Sequence, residues 1–213
     1  MELQVNKDHY FQERYADLRR FISYYYQIDF IKKTKAKKIL FIGVGDGLVP
    51  DYLRKIPDIE ITTFDIDPAL NPDIIGDVRQ LPFKKNEFDC VVACEVLEHV
   101  PFEYFSQILS QIHGITREWV VLSLPVRQIG FECILRFPFI RKIFNRQFLK
   151  ILLTIPIKFP GSSHHYWVID NKQFSIKKIC RVIENYFNII HKENIMFGSN
   201  QCFFMLNKKK DAI

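Results

Sequence analysis

Near the start of the chain, Phe11, Tyr15, Leu18, Ile22 and Tyr25 recur at helical spacing, which predicts an amphipathic N-terminal helix over 8–31. The pattern then changes to short apolar runs separated by polar and glycine-containing turns. Residues 38–42 read as a buried strand, and further strands are expected over 59–64, at Ile74 and Ile75, over 89–94 and over 119–125. A helix over 48–55 follows the first strand. Another starts at Pro101, a residue suited to a first helical turn, and runs to about His113. Late in the chain, 175–185 reads as a helix, and 187–195 with 201–207 as a strand pair joined through Gly198-Ser199-Asn200. This alternation predicts an α/β fold: a mostly parallel seven-stranded sheet with helices on both faces and a C-terminal antiparallel strand pair.

The first strand runs directly into Gly43-Val44-Gly45-Asp46-Gly47. Glycines at alternate positions let the backbone turn sharply and approach a ligand closely. The helix that follows leaves backbone N–H groups free at its start, which favours a carboxylate or phosphate. Asp65 falls twenty residues after Gly45, at the end of the second strand, where a bound nucleoside would offer its ribose hydroxyls. A nucleoside-bearing cofactor is therefore expected. Dinucleotide-binding turns use G-x-G-x-x-G, but the position of their third glycine is Leu48 here.

Further motifs follow in order: the acid-ended Phe64-Asp65-Ile66-Asp67, then Gly76-Asp77-Val78-Arg79-Gln80-Leu81-Pro82-Phe83, then Asp89-Cys90-Val91-Val92-Ala93-Cys94-Glu95-Val96-Leu97-Glu98-His99. With the glycine turn, this set over roughly 38–125 resembles the class I S-adenosylmethionine-dependent methyltransferases, in particular the methyltransferase type 11 group. The resemblance implies a Rossmann-like fold filling one domain, 1–213, with the N-terminal helix 8–31 and an insertion 127–163 after strand 5 as additions. It implies S-adenosyl-L-methionine as cofactor, with the backbone of Gly43, Gly45 and Gly47 cradling the methionine end. Asp65, with Ile66 beside it, would accept both ribose hydroxyls. Asp77 with Val78 would sit beside the adenine, and Glu95 would border the sulfonium and the methionine amine. One position departs from the family. Where an acidic residue usually stands two places before the first glycine, this chain has Phe41. That is the one hint of an alternative, a catalytically silent methyltransferase-like binding or scaffold protein. Asp67, beside Pro68, suits a turn-stabilising role.

Transfer from a sulfonium asks mainly for alignment, which can supply ~7–11 kcal/mol. A base is needed only for a hydroxyl or a protonated amine. His99, with one of His164 or His165, is the candidate because imidazole titrates near neutrality, and Glu98 stands beside them. Tyr166 and Trp167 read as pocket wall, and His9, His113 and His191 as surface or satisfied residues. The segment 95–99 is also similar to the E-x-x-E-H stretch that holds a divalent ion in ubiquinone-pathway O-methyltransferases and small-RNA 2′-O-methyltransferases. A metal is not expected here; were one held, Glu95, Glu98, His99 and His165 would be its ligands.

Composition adds bounds. The chain has 213 residues, 48% hydrophobic and 25% charged, which is ordinary for one globular domain. No charged-then-apolar leader opens it and no run of eighteen apolar residues occurs, so neither a signal segment nor a membrane span is expected. Five cysteines without a C-x-x-C pair argue against a disulfide framework and fit a reduced cytoplasmic setting, with Cys90 and Cys94 on one face of a strand as core residues. Between 130 and 160, Arg136, Arg141, Lys142, Arg146, Lys150 and Lys158 face the single acid Glu132, a net +5 of the chain's formal +6. Large apolar residues separate these charges at near-helical spacing. Such a segment suits an amphipathic cap over an acceptor pocket, or a helix lying in the inner membrane face. Nucleic-acid binding would ask for more charge and less aliphatic bulk. The acceptor expected is a small molecule, a glycan or a lipid-linked compound, methylated on oxygen.

Overall fold

A computed structural model describes residues 7–12, 15–135, 149–156, 165–170, 173–195 and 200–210. Nine strands are named in chain order: β1 Lys38–Ile42, β2 Glu60–Asp65, β3 Ile74–Ile75, β4 Phe88–Cys94, β5 Thr116–Pro125, β6 Gln128–Leu135, β7 Leu149–Pro156, β8 Phe187–Ile195 and β9 Gln201–Lys208. The α-helices are α1 Leu18–Thr34, α2 Leu48–Arg54, α3 Phe105–Ile115 and α4 Ile176–Glu184. Seven strands form one sheet in the order β3-β2-β1-β4-β5-β9-β8. The first five run parallel, β9 pairs antiparallel with β5, and β8 pairs antiparallel with β9. From β1 the chain moves outward to β2 and β3, then returns to β4 on the other side. The order therefore reverses between β1 and β4, and ligand crevices in open α/β sheets form outside the carboxyl ends of such strands.

Both faces of the sheet are covered. Leu40, Ile42, Val91, Ala93, Val120 and Leu122 pack with Ile108, Leu109 and Ile112 of α3 and Ile179 and Ile183 of α4. Ile39, Phe41, Cys90, Val92 and Val121 pack on the other face with Tyr26, Phe30 and Ile31 of α1 and Leu53 of α2. A strand buried on both faces reads as a continuous apolar run, which is why Lys38–Ile42 is legible in sequence. Phe30 is wholly buried, a contribution of about 1.5–3 kcal/mol for a side chain of this size.

Two elements differ from the sequence expectation. The N-terminal helix does not run over 8–31: a 3-10 turn occupies Lys7–Phe11, and α1 begins at Leu18, where the Asp17 carboxylate accepts from Arg20 N–H at 3.0 Å. Its buried face is also a different one. Ser23, Tyr24, Tyr26, Gln27, Phe30 and Ile31 are buried, whereas Phe11, Leu18 and Tyr25 are exposed, because α1 packs a mixed polar and aromatic stripe against the sheet. The insertion carries a two-stranded antiparallel ribbon, β6 with β7, in place of a helix at its described ends. Apolar residues at alternate positions, as at Phe131, Cys133 and Leu135, satisfy the period of a strand. Residues 136–148 and 157–164, and with them His164, lie outside the described residues.

Candidate active site

The glycine turn leaves β1 with positive φ at Gly43 (+85°), Gly45 (+59°) and Gly47 (+79°). At Gly43 a Cβ would lie 2.4 Å from Val96 Cγ2, so the chain needs glycine there on both conformational and steric grounds. Asp65 ties this turn to the end of β2. Its Oδ2 accepts from Val44 N–H at 2.7 Å, and its Oδ1 accepts from Asp67 N–H at 2.9 Å. Asp67 in turn accepts from Ala69 N–H at 2.8 Å and caps the 3-10 turn at Pro68–Leu70, the turn-stabilising role its sequence setting suggests.

These loops wall a cavity of about 370 Å³ at the reversal point of the sheet, within the size range of small-molecule sites. Gly43, Gly45, Asp65, Ile66, Val78, Glu95, His99 and His165 all line it. The start of the chain closes its other side, where His9, Tyr10 and Tyr15 meet edge to face at 5.4–5.6 Å. Burial, helped by the carboxylates of Asp65 and Asp67, pushes the Tyr10 hydroxyl up to about 12, so it stays a proton donor at neutral pH. Tyr24 is shifted the same way, first by burial and then by donating its hydroxyl to Asp46.

Glu95 follows β4 with φ +56°, an uncommon conformation for a residue with a Cβ and a sign of local constraint at a site. Arg20 Nη1 lies 3.1 Å from both Glu95 oxygens. The Ser23 hydroxyl lies 3.3 Å from Glu95 Oε1 and 2.9 Å from Gln201 Oε1. Burial opposes the charge on Arg20, but Glu95, Tyr15 and Tyr24 together more than offset it, and the guanidinium is held above its ordinary range. The cavity thus carries a positive and a negative group side by side, with Tyr15 stacked 4.4 Å from the guanidinium carbon.

At another part of the wall, the His99 and His165 rings meet edge to face at 4.9 Å. Ligand atoms of Glu98, His99 and His165 all fall within 4.8 Å of one another. Glu98 is fully buried, and neither of its oxygens has a hydrogen-bond partner among the described residues. Burial, reinforced by the charge of Glu95, drives its carboxyl far above the usual carboxylate range.

Residues 40–122 match the model of a family described as a methyltransferase domain. That match spans the glycine turn, the acid-ended β2 and the strand leading to Glu95. Those residues form a methyltransferase domain, and the fold around them is that of S-adenosylmethionine-dependent methyltransferases. No curated protein matches it in sequence. Solved structures with the same fold include the small RNA methyltransferase HEN1, at 14% identity and TM-score 0.63 over 100% of this chain and 27% of that one. An S-adenosylmethionine-dependent methyltransferase from Clostridium acetobutylicum matches at 11% identity and TM-score 0.62, over 95% and 99% of the two chains. A glycopeptide N-methyltransferase complexed with S-adenosyl-L-homocysteine matches at 12% identity and TM-score 0.56, over 86% and 89%.

Five sequence-derived placements change. Asp77 does not line the cavity; its carboxylate takes both Nε and Nη2 of Arg79 at 2.6–3.0 Å, and that contact holds it below the usual carboxylate range. Gly47 does not line the cavity either but caps α2, with Asp51 N–H donating to its carbonyl at 3.0 Å. Glu98 lies behind the cavity wall, and Trp167 is a core residue that donates from Nε1 to Val100 C=O at 2.9 Å among Phe102, Phe105 and Phe174. Tyr166 is exposed, its backbone N–H fixed to Glu98 C=O at 2.9 Å. His9 is exposed at the cavity rim, while His113 and His191 find partners in Lys209 C=O and Glu193. Sequence reasoning missed Arg20, Tyr10, Tyr15, Tyr24 and Gln201. The pairing of Arg20 with Glu95 spans 75 positions and leaves no local pattern.

Proposed function

We propose that the chain transfers a methyl group to a hydroxyl oxygen of a small, glycan or lipid-linked acceptor, acting as one domain over 1–213. The observation that carries this reading is the convergence of the glycine turn, Asp65 and the Arg20–Glu95 pair on one cavity. When bound, S-adenosylmethionine supplies a methyl already activated by its sulfonium. The residues present fit it. Gly43 leaves space that a Cβ would fill, Asp65 offers remaining acceptor capacity to two ribose hydroxyls, and Ile66 and Val78 give an apolar wall for the adenine. The methionine end is a zwitterion, and the cavity presents Arg20 for its carboxylate and Glu95 for its amine.

The protein's work is alignment and proton removal. Tyr10 and Tyr15 cover the cavity and exclude water from its inner part. His99 or His165 takes the proton of the acceptor hydroxyl as the oxygen attacks, and both rings line the same wall. A free amine acceptor needs no such base, which is why the paired imidazoles favour oxygen.

A second reading has its own observation. The orphaned carboxylate of Glu98 beside His99 and His165 has the donor set of a divalent cation site. Glu95 leaves the four-residue set read from sequence, because among the described residues the clustered ligand atoms are those of Glu98, His99 and His165. In this reading Glu98, His99 and His165 would hold the cation, which would supply a lowered pKa at the acceptor hydroxyl in place of a base.

Calorimetric titration with S-adenosylhomocysteine tests the main reading. Micromolar binding to the folded protein supports it, and no binding transfers the case to the silent scaffold. A rise in melting temperature with Mn²⁺ or Mg²⁺, lost in His165→Ala, separates the second reading from the first.

A further inference from the structure

We propose that the β6–β7 ribbon docks this methyltransferase on an anionic lipid surface and presents its cavity to an acceptor held in that membrane. The inference rests on the reading of the cavity as the methyl-transfer site. The ribbon is a sheet of its own, separate from the seven-stranded sheet. Phe131 stands opposite Leu153, and Cys133 opposite Ile151. Alternation along a strand puts Phe131, Cys133, Leu135, Ile151 and Leu153 on one face. Phe131 is 62% exposed, Ile151 42% and Leu153 64%. An isolated two-stranded ribbon is marginal in water, and an apolar face this open marks a contact site.

Its position ties it to the cavity. β6 begins three residues after Pro125, at the carboxyl edge of the sheet, where Arg127 N–H donates to Ile169 C=O at 2.8 Å and fixes its root. The first turn of α1 is held at that same edge by the Arg20–Glu95 pair and carries the exposed side chains of Leu18 and Phe21. Two apolar elements therefore flank the edge from which the cavity opens.

The sequence that joins the two strands decides the partner. Over 136–148 it contains Arg136, Arg141, Lys142 and Arg146, and no acid. Among these stand Phe137, Phe139, Ile140, Ile143, Phe144 and Phe148. Cations interleaved with aromatic and aliphatic residues have the chemistry that binds an anionic interface, each cation adding attraction and each apolar group adding burial. A second copy carries the same net positive charge over 136–148, which opposes self-association.

The test uses the full chain and vesicles of phosphatidylcholine with about 30 mole per cent phosphatidylglycerol, against phosphatidylcholine alone, at low salt and at ~0.5 M salt. The protein is expected to pellet with the anionic vesicles, to be released by salt, and to bind neutral vesicles weakly. Phe131→Ser/Leu153→Ser is expected to weaken partition by roughly tenfold or more while retaining affinity for S-adenosylhomocysteine. If that pair compromises folding, Leu153→Asn alone gives the same comparison at an exposed position. Wild-type protein that stays in the supernatant at low salt overturns the proposal, as does a variant that pellets equally well. A dimer that the variant dissolves, with no vesicle binding, overturns it in favour of an interface between copies. Affinity for S-adenosylhomocysteine is measured on the same samples, so a failure of the methyl-transfer reading shows separately from a failure of docking.

Discussion

Asp65→Ala is the substitution with the clearest magnitude. The carboxylate accepts two backbone N–H groups, Val44 at 2.7 Å and Asp67 at 2.9 Å, and faces the cavity with capacity to spare. Its loss removes the proposed ribose contacts and loosens the glycine turn proposed to hold the methionine end. A hydrogen bond to a charged group contributes ~1.5–3 kcal/mol, and Asp65 is only half-buried, so the lower part of that range applies to each. Affinity for S-adenosylhomocysteine should fall by roughly ten- to a hundredfold, or about 1.4–2.8 kcal/mol. Asp65→Asn keeps one acceptor oxygen and should fall between wild type and Ala.

Calorimetric titration gives the affinity, and thermal melting without ligand gives the cost of the lost brace. The two readouts separate the roles of the side chain. If Asp65→Ala melts lower but binds S-adenosylhomocysteine within about twofold of wild type, Asp65 is a loop brace and the ribose assignment is wrong.

Gly43→Ala places a methyl 2.4 Å from Val96 Cγ2 at a φ of +85°, and should abolish measurable cofactor binding, whereas Gly47→Ala meets only Asp51 at 3.5 Å and should retain some. Arg20→Gln leaves Glu95 without its guanidinium and should weaken S-adenosylhomocysteine at least about tenfold by calorimetry; an unchanged Kd removes the zwitterion assignment. Glu98 has a raised pKa in the folded chain, so above the ordinary glutamate range the unfolded chain loses this proton while the folded one keeps it. Wild-type stability should then decline as pH rises, by up to about 1.4 kcal/mol per unit, and Glu98→Gln should escape that decline. Melting curves of both proteins between pH 4.5 and 8 check this: a difference that does not grow with pH refutes the neutral Glu98.

Strands were legible where burial made the pattern local. Lys38–Ile42, Phe88–Cys94 and Thr116–Pro125 follow from their buried apolar runs, and α4 from its regular spacing. The helix α1 was legible as a helix but not in its orientation. Its buried stripe includes Ser23 and Gln27, which become inward-facing only because Glu95 and Gln201 wait on the sheet. The ribbon was misread as helical because thirty residues rich in apolar side chains fit either period, and only pairing between Phe131 and Leu153 decides. The cofactor side of the site was local, carried by the turn and Asp65. The far side depends on Arg20, Tyr10 and His165, brought in from both ends of the chain.

Phe41 is the residue on which a decayed site would have to rest, and its surroundings argue otherwise. It is 3% exposed, packed with the α1 and α2 side chains, and forms part of the cavity floor. A carboxylate there would need a partner to offset its desolvation, and it would compete with Glu95 and the methionine carboxylate for the Arg20 guanidinium. Glu95 stands instead at the end of β4, in a left-handed conformation that the Ser123 carbonyl helps to hold through Glu95 N–H at 3.3 Å. Glu95 on the cavity wall, balanced by Arg20, offers what the methionine zwitterion requires. On this argument the loss of an acid at position 41 moves the amine contact across the cavity to Glu95, and Phe41→Asp should lower the melting temperature without improving affinity for S-adenosylhomocysteine. A gain in affinity would show that the amine site lies on β1 after all.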